Sequence, residues 1–377
     1  MVNLMNENSG IAIVIGTKAE LIKCMPIMLE LQKQGKNYWF VHTGQHRLGK
    51  ACEDFGVKKP DFILSKEPDR STKLWSKVNR ISLFWFLMMN IKIRRLIKKL
   101  QPRYVIYHGD TMSTAAAAIA SSNFLNLRKR WKNVHLEAGL RSGSLFEPFP
   151  EEISRQISDR FSDILLAVSD LSEDNLRKGG YKGQIIKVGN TIVDSSMIAY
   201  KKAVKEKSKR KGIKNYALIN IHRHENLNSK ERMKEIVEIL KNIRIKAIWP
   251  IHANTAHFIE KYGLVHEIKG MKNIKRMSLT NYSDFIQLLA NCKYLVTDGG
   301  SIQEESLVFK KPCIILRKRT ERQEGLSTGI NFLTRLDVNY TKKIIEEIES
   351  NNLKIKNFRN PYGIKGLSKE IISHLLR

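Results

Sequence analysis

Residues 135–155 read His135-Leu-Glu137-Ala-Gly-Leu-Arg141-Ser-Gly-Ser-Leu-Phe-Glu-Pro148-Phe-Pro150-Glu151-Glu152-Ile-Ser-Arg155. The stretch opens as the end of an apolar strand and passes abruptly into charge at Glu137 and Arg141. A Gly/Ser turn follows. Pro150 then stands where a helix begins, with Glu151 and Glu152 in its first turn, the placement that helix N-termini favour. Arg155, four residues after Glu151, falls on the same helical face. A strand, a polar loop and a helix in this order belong to an α/β fold. In an open sheet of that kind, the loop after the strand carries the chemistry.

The same unit repeats on both sides of this stretch. Short apolar runs predict strands at 11–15, 38–41, 104–107, 134–136, 164–168 and 184–188. Helical patterns lie between them, over 21–34, 71–100 and the alanine-rich 113–122. Strands alternating with helices predict a parallel sheet with βαβ crossovers. After residue 214 the pattern restarts, with strands at 217–221, 247–251, 273–277, 294–296 and 313–316, and a last helix over 368–376. The expected architecture is two Rossmann-like α/β/α domains facing a central cleft. Their boundaries are set at 1–200 and 215–363. The Lys/Arg-rich run 201–214 is the hinge, and residues 364–377 form a helix packing back on the first domain.

Composition narrows the class. The 66 Lys and Arg outnumber 37 Asp and Glu in 377 residues, a formal charge of +29. Such a surplus attracts nucleic acid, acidic membrane or phosphorylated small molecules without choosing among them. The basic run 201–214 lacks interleaved aromatics, so no nucleic-acid partner is expected. Cys24, Cys52, Cys292 and Cys313 are scattered, with neither zinc nor redox spacing, which fits free thiols in a reducing compartment. The apolar runs 11–15 and 83–89 are too short for a signal peptide or a bilayer span. A cytoplasmic protein is expected, with membrane association not predicted.

Several loops carry candidate chemistry. His108-Gly-Asp110 follows a buried strand, so Asp110, Glu137 and Glu151 arise from consecutive strand-end regions. Grouped carboxylates shift one another's pKa and divide into acid and base. Taken singly, Asp110 also reads as a helix cap, and Glu151 as a cap or a partner for Arg155. Asp298-Gly299-Gly300-Ser301 follows a strand and opens a helix, a setting that suits a phosphate. Glu305, one turn on, is placed to accept from ribose hydroxyls. His222, crowded by Arg223, His224 and Glu225, could donate to a diphosphate or serve as a structural partner. Gly16-Thr-Lys18 is neither a dinucleotide fingerprint nor a P-loop. Lys18 and Lys23 are candidates to face an anion. No metal-ligand set is recognisable, and none is expected.

Taken together, these loops resemble the non-hydrolysing UDP-N-acetylglucosamine 2-epimerases, of glycosyltransferase-B type fold. The resemblance runs from about residue 11 to 375. It rests on eleven ordered motifs: GTKAELIKCMP (16–26), TGQHR (43–47), HGDT (108–111), HLEAGLRS (135–142), PEEISRQ (150–156), VGNTIVDS (188–195), HRHEN (222–226), IHANT (251–255), TDGGSIQEE (297–305), KP (311–312) and TERQE (320–324). It implies inversion at C2 of UDP-GlcNAc to give UDP-ManNAc, for polysaccharide precursors. UDP is eliminated across C1–C2 and added back to a bound glycal, with no external cofactor.

By motif match, Asp110, Glu137 and Glu151 correspond to the family's catalytic acids, and His222 to its catalytic or phosphate-binding histidine. Lys18, Lys23, Arg141, Arg155, Phe285, Gly299, Gly300, Ser301, Glu305 and Arg322 correspond to substrate contacts. The resemblance implies that Phe285 forms the uracil wall. Gln45, Arg47, Arg223 and His252 match positions that hold an activating second UDP-GlcNAc in bacterial members. A homodimer is implied. The chain departs from the family in four loops. GTKAE stands for GTRPE, so a bidentate arginine becomes a point charge at Lys18. TDGGS stands for TDSGG, ERQE for ERPE and HRHE for HRRE. These departures keep two alternatives open: C2 epimerisation of another UDP-2-acetamido sugar (deoxy, diacetamido or uronic acid), and a glycosyltransferase of the same fold docked on acidic lipid.

Overall fold

β1 (Ile11–Ile15) is apolar throughout because parallel strands lie on both sides of it: it pairs with β2 (Tyr38–His42) and β4 (Tyr104–His108). The structure, a computed structural model, describes residues 10–66, 80–144, 150–206, 214–355 and 357–376. The chain divides into two units, at Ser195/Ser196 and again at Asn360/Pro361.

In the first unit the remaining elements are α1 (Lys18–Lys33), α2 (Gly49–Phe55), β3 (Phe62–Ile63), α3 (Arg80–Leu100), α4 (Met112–Ser121), β5 (Lys132–Ala138), α5 (Glu151–Arg160), β6 (Ile164–Ala167), α6 (Asp170–Lys178), β7 (Gln184–Lys187) and the start of α7 (Ile192–Lys205). The sheet order is β3-β2-β1-β4-β5-β6-β7, all parallel. The order reverses between β1 and β4, the switch point at which such sheets bind ligands beyond their carboxyl ends. α3 and α4 cover β1 and β4 through Met89, Ile93, Ile97, Ala116, Ala117 and Ala120. Small alanines let α4 approach closely, and each fully buried isoleucine contributes about 1.5–3 kcal/mol.

The second unit holds β8 (Ala217–Asn220), α8 (His224–Leu227), α9 (Lys230–Lys241), β9 (Ala247–Pro250), α10 (Ala253–Lys261), α11 (Val265–Gly270), β10 (Ile274–Met277), α12 (Tyr282–Asn291), β11 (Tyr294–Thr297), α13 (Ile302–Val308), β12 (Cys313–Ile315), α14 (Gln323–Leu326), β13 (Asn331–Leu333) and α15 (Val338–Glu349). Its order, β10-β9-β8-β11-β12-β13, is again parallel, with its switch point between β8 and β11. Trp249, Tyr294 and a cluster of Ile, Leu and Val form its core. The last helix, α16 (Leu367–Leu376), returns to the first unit and packs on α1. Asp194 fastens it, accepting from Gly366 N at 2.7 Å and from Ser368 N and Oγ at 2.8 and 2.6 Å.

Element boundaries differ from expectation in physically readable ways. α1 begins three residues earlier than 21 because Thr17 and Glu20 form a reciprocal capping box. β2 and β4 extend through the buried polar residues His42 and His108. α2, β3 and β13 were not expected. Of the helix expected over 71–100, residues 71–79 lie outside the described residues. So do residues 207–213 of the expected hinge, whose first five residues, 201–205, continue α7. All four cysteines are buried and free.

Candidate active site

The carboxyl ends of β1, β4 and β5 gather most of the acids and cations singled out in the first unit. β5 carries a register shift between Leu136 and Ala138, and Glu137 lies within it with a left-handed backbone, φ 67°. That conformation costs a non-glycine residue about 1–3 kcal/mol. A bulge re-aims a side chain, and here it turns Glu137 into the interior. Its Oε2 accepts from the Lys23 ammonium and from Asn190 Nδ2 at 2.9 Å, and His108 Nε2 lies 3.6 Å away. The Lys23 and Glu137 side chains are only 5% and 3% exposed, so the pair is screened little by solvent.

Arg155 forks between two acids. One arm reaches Glu152 Oε2 at 2.5 Å and the other reaches Asp110. Thr111, accepting from Thr114 N, is the cap of α4, so the capping reading of Asp110 is replaced by this ion pair. Arg155 is thus held by Asp110 and Glu152, and Glu151 sits at the first position of α5, half-buried. Lys18 opens α1 and is exposed, its amide donating to His46 Nδ1 at 3.4 Å. Buried Glu20 ties this loop to α4. It accepts from the Gly16 and Thr17 amides and from the Thr111 and Thr114 hydroxyls at 2.6–2.8 Å. Burial pushes the Glu20 carboxyl up and these bonds pull it part of the way back.

Gln45 is buried against the same loop, accepting from Ser113 Oγ at 2.7 Å, whereas Arg47 is exposed. A Cβ at Gly16 would lie 2.0 Å from Ser113 Oγ, so this polar contact requires glycine there. Arg141 pairs with Asp159 at 2.7 Å and lies over the Tyr181 ring at 5.2 Å.

The second unit builds its cluster at its own switch point. His222 and Arg223 donate their amides to Asp298 Oδ1 and Oδ2 at 2.9 and 3.0 Å, and Asn226 Nδ2 adds a third bond at 3.1 Å. Asp298 is therefore the organiser of the loop after β8. The His222 ring stacks on His252, with centroids 4.7 Å apart and planes at 19°. Burial lowers the pKa of His222, and burial with the His222 charge lowers that of His252 to about 4. Arg223 pairs with Glu225 at 2.9 Å.

Gly299 and Gly300 leave room that a side chain would fill. A Cβ at Gly299 would stand 3.3 Å from His222 Cε1, and one at Gly300 would stand 3.2 Å from Arg322 Nη1. Arg322 is buried beside this turn between Glu321 and Glu304. Ser301 stands at the N-cap position of α13 without a side-chain capping bond, and Glu305, one turn in, accepts from the Tyr282 hydroxyl at 2.8 Å. Phe285 is half-buried on α12, one turn from Tyr282 and on its face.

Sequence reading missed Asn190, Glu20, Glu152 and Tyr282 as partners. Of these, Asn190, Glu20 and Glu152 lay within motifs already singled out, and that was the available signal. Tyr282 carried none, its partner lying 23 residues away.

Two Rossmann-like parallel units in one chain, each with charged groups at its switch point, define the glycosyltransferase-B class of architecture. The family model described as UDP-N-acetylglucosamine 2-epimerase matches residues 29–376. The chain is 33% identical to the UDP-N-acetylglucosamine 2-epimerase of Methanocaldococcus jannaschii, over 97% of this chain and 98% of that one. It is 30% identical, over 85% of its length and 86% of the relative's, to a UDP-2,3-diacetamido-2,3-dideoxy-D-glucuronate 2-epimerase of Pseudomonas aeruginosa. The crystal structure of the M. jannaschii enzyme with UDP-GlcNAc and UDP superposes with a TM-score of 0.81 at 31% identity, covering 97% and 99% of the two chains. That of the Neisseria meningitidis enzyme bound to UDP-GlcNAc gives 0.82 at 26%, covering 97% and 99%. The chain belongs to the UDP-N-acetylglucosamine 2-epimerase family and is, with that family, an isomerase.

Proposed function

We propose that this chain interconverts UDP-GlcNAc and UDP-ManNAc by eliminating UDP and re-adding it to a bound glycal. Two independent supports meet: full-length likeness to enzymes of that name, and three acids on the segments that follow β4 and end or follow β5, Asp110, Glu137 and Glu151. The C2 proton is not acidic, so simple deprotonation is too costly. A carboxylate removes it as the C1–O bond breaks and its electron pair leaves with UDP. A proton then returns to C2 from the opposite face, and the UDP oxygen re-forms the bond to C1. Such acid–base help contributes a factor of roughly 10²–10⁴.

In this reading the diphosphate is held by His222, Arg322 and the Gly299–Ser301 turn, with Lys18 and Lys23 adding positive charge. Arg155 sets the direction of Asp110. Glu305 takes the ribose and Phe285 the uracil. Donors fixed before reaction stabilise the departing diphosphate without reorganising. Gln45, Arg47, Arg223 and His252 form the proposed activator contacts.

The observation that carries the reading is the buried Glu137 carboxylate, aimed by a bulge and held by Lys23 and Asn190. The test is turnover in deuterated water. UDP-GlcNAc should yield the C2 epimer with deuterium at C2, and a chain giving neither product nor exchange would end the reading. The diacetamido-glucuronate relative supports a second reading, in which the sugar differs and the chemistry does not. Comparing kcat/KM across a panel of UDP-2-acetamido sugars separates the two.

We also place the chain in the cytoplasm as a homodimer. The buried free thiols fit a reducing compartment. Leu83, Phe84, Leu87 and Ile91 on α3 are 44–66% exposed. An apolar helix face of this kind marks an interaction surface. Phe84→Glu should shift the sedimentation coefficient to that of a monomer. A wild-type chain that sediments as a monomer would refute the assembly.

A further inference from the structure

His135 lies on β5, two residues before Glu137, and is fully buried. Its Nε2 is 2.8 Å from the carbonyl oxygen of Gly109, and its Nδ1 is 2.7 Å from Asp159 Oδ1. A carbonyl oxygen can only accept, so Nε2 carries a hydrogen. At Nδ1 the question is whether the shared hydrogen belongs to the ring or to the carboxylate. Asp159 receives two further donors on its other oxygen: Arg141 Nη2 at 2.7 Å and the Gly139 amide at 3.4 Å. Three donors converging on one buried carboxylate keep it ionised. Two acceptors facing each other at 2.7 Å would repel, so the hydrogen sits on Nδ1.

We propose that His135 is a buried, doubly protonated imidazolium that positions Asp110 by gripping the Gly109 carbonyl. Gly109 is the left-handed turn residue, φ 77°, immediately before Asp110, and its amide donates to Leu136 O at 3.0 Å. Gly109 is thus pinned at both ends, its N–H by a backbone bond and its carbonyl by a charged donor, and charge-assisted bonds are about twice as strong as neutral ones. The groups facing the ring are Asp159, the Gly109 carbonyl and Tyr107, whose ring centroid is 5.8 Å away. His135 thus acts through the turn. This also assigns a task to Arg141, which completes the ionisation of Asp159. The role rests on the proposed part of Asp110 in C2 proton handling.

The test uses the full chain labelled with ¹⁵N-histidine. In the wild type at pH 7.5, one imidazole should show hydrogens on both ring nitrogens, and that signal should vanish in His135→Gln. In Asp159→Asn the same ring should keep only one hydrogen. Turnover of His135→Gln should fall about 10²-fold in kcat, as for a misplaced catalytic group, with KM within about threefold of wild type. A wild-type His135 with a single ring hydrogen overturns the proposal, and so does His135→Gln with unchanged kcat. If His135→Gln does not fold, Asp159→Asn supplies both the assignment and the kinetic comparison. A wild-type chain without epimerase activity would defeat the role of Asp110, whereas the ring signal reports on His135 independently.

Discussion

Lys23 on α1 and Glu137 on β5, 114 residues apart, form an ion pair buried from solvent on both sides. The pair joins the helix after the first strand to the bulge that carries a proposed catalytic acid. The Glu137 Oε2 is thereby engaged by a cation, and α1 is held to the sheet at its carboxyl end.

Breaking this pair from one side should be costly. Lys23→Met leaves a buried carboxylate without its cation, and such losses run to about 3–5 kcal/mol. Urea unfolding should show a loss of that order for Lys23→Met. Lys23→Met/Glu137→Gln should recover most of it while remaining inactive in C2 exchange. Equal stability of the single and double variants would contradict the burial argument.

Arg155 poses a different question, because one guanidinium serves both Asp110 and Glu152. Lysine keeps the charge but offers no fork. Arg155→Lys should therefore lose one charged hydrogen bond, worth about 1.5–3 kcal/mol. It should also lower kcat more than it raises KM, since Asp110 loses its direction while the diphosphate contacts remain. Steady-state kinetics with thermal unfolding would check both halves. A variant altered only in KM would place Arg155 on the substrate instead.

The frame of this protein was legible because it depends on local pattern. Five consecutive apolar residues at 11–15 could only be a strand buried on both faces, and Pro150 with two following glutamates marked a helix start. β3 and β13, of two and three residues, are too short to show a period. The bulge at Glu137 left no trace either, since nothing in Leu-Glu-Ala-Gly announces a left-handed glutamate. Side-chain partnerships were the least readable part. Arg141 was assigned to substrate from its motif, yet its ion pair is with Asp159 on α5. Asp298 was read as part of an anion loop, whereas its carboxylate organises the turn holding His222. His252 was assigned to an activator site and stacks on His222. Each depends on how separate loops meet in three dimensions.

The glycine turn after β11 allows a test of binding alone. A methyl group at residue 300 would stand 3.1 Å from Glu321 Oε1 and 3.2 Å from Arg322 Nη1, tighter than ordinary contact. Arg322 would have to move from the turn that proposedly receives the diphosphate. Gly300→Ala should weaken UDP binding about tenfold, or roughly 1.4 kcal/mol, with little change in melting temperature. Calorimetric titration with UDP measures this directly, and unchanged affinity would remove Arg322 and Gly300 from the phosphate site.

The stacked histidines give the second unit a built-in acid sensitivity. His252 titrates at about 4 in the folded chain against an ordinary 6.5, because burial and then the His222 charge disfavour its cation. His222 shifts in the same direction: burial and Arg223 outweigh the attraction of Asp298 and Glu225. Between those pH values the unfolded chain binds more protons than the folded one, so stability falls as pH falls. The contribution is fully present above about 6.5 and is lost as pH drops through about 4. Urea midpoints measured from pH 7.5 down to 4.5 should therefore decline in the wild type. His252→Asn should decline less steeply, because it removes one of the two depressed groups. Parallel slopes for the two proteins would mean that the acid lability arises elsewhere, in the paired carboxylates of the first unit.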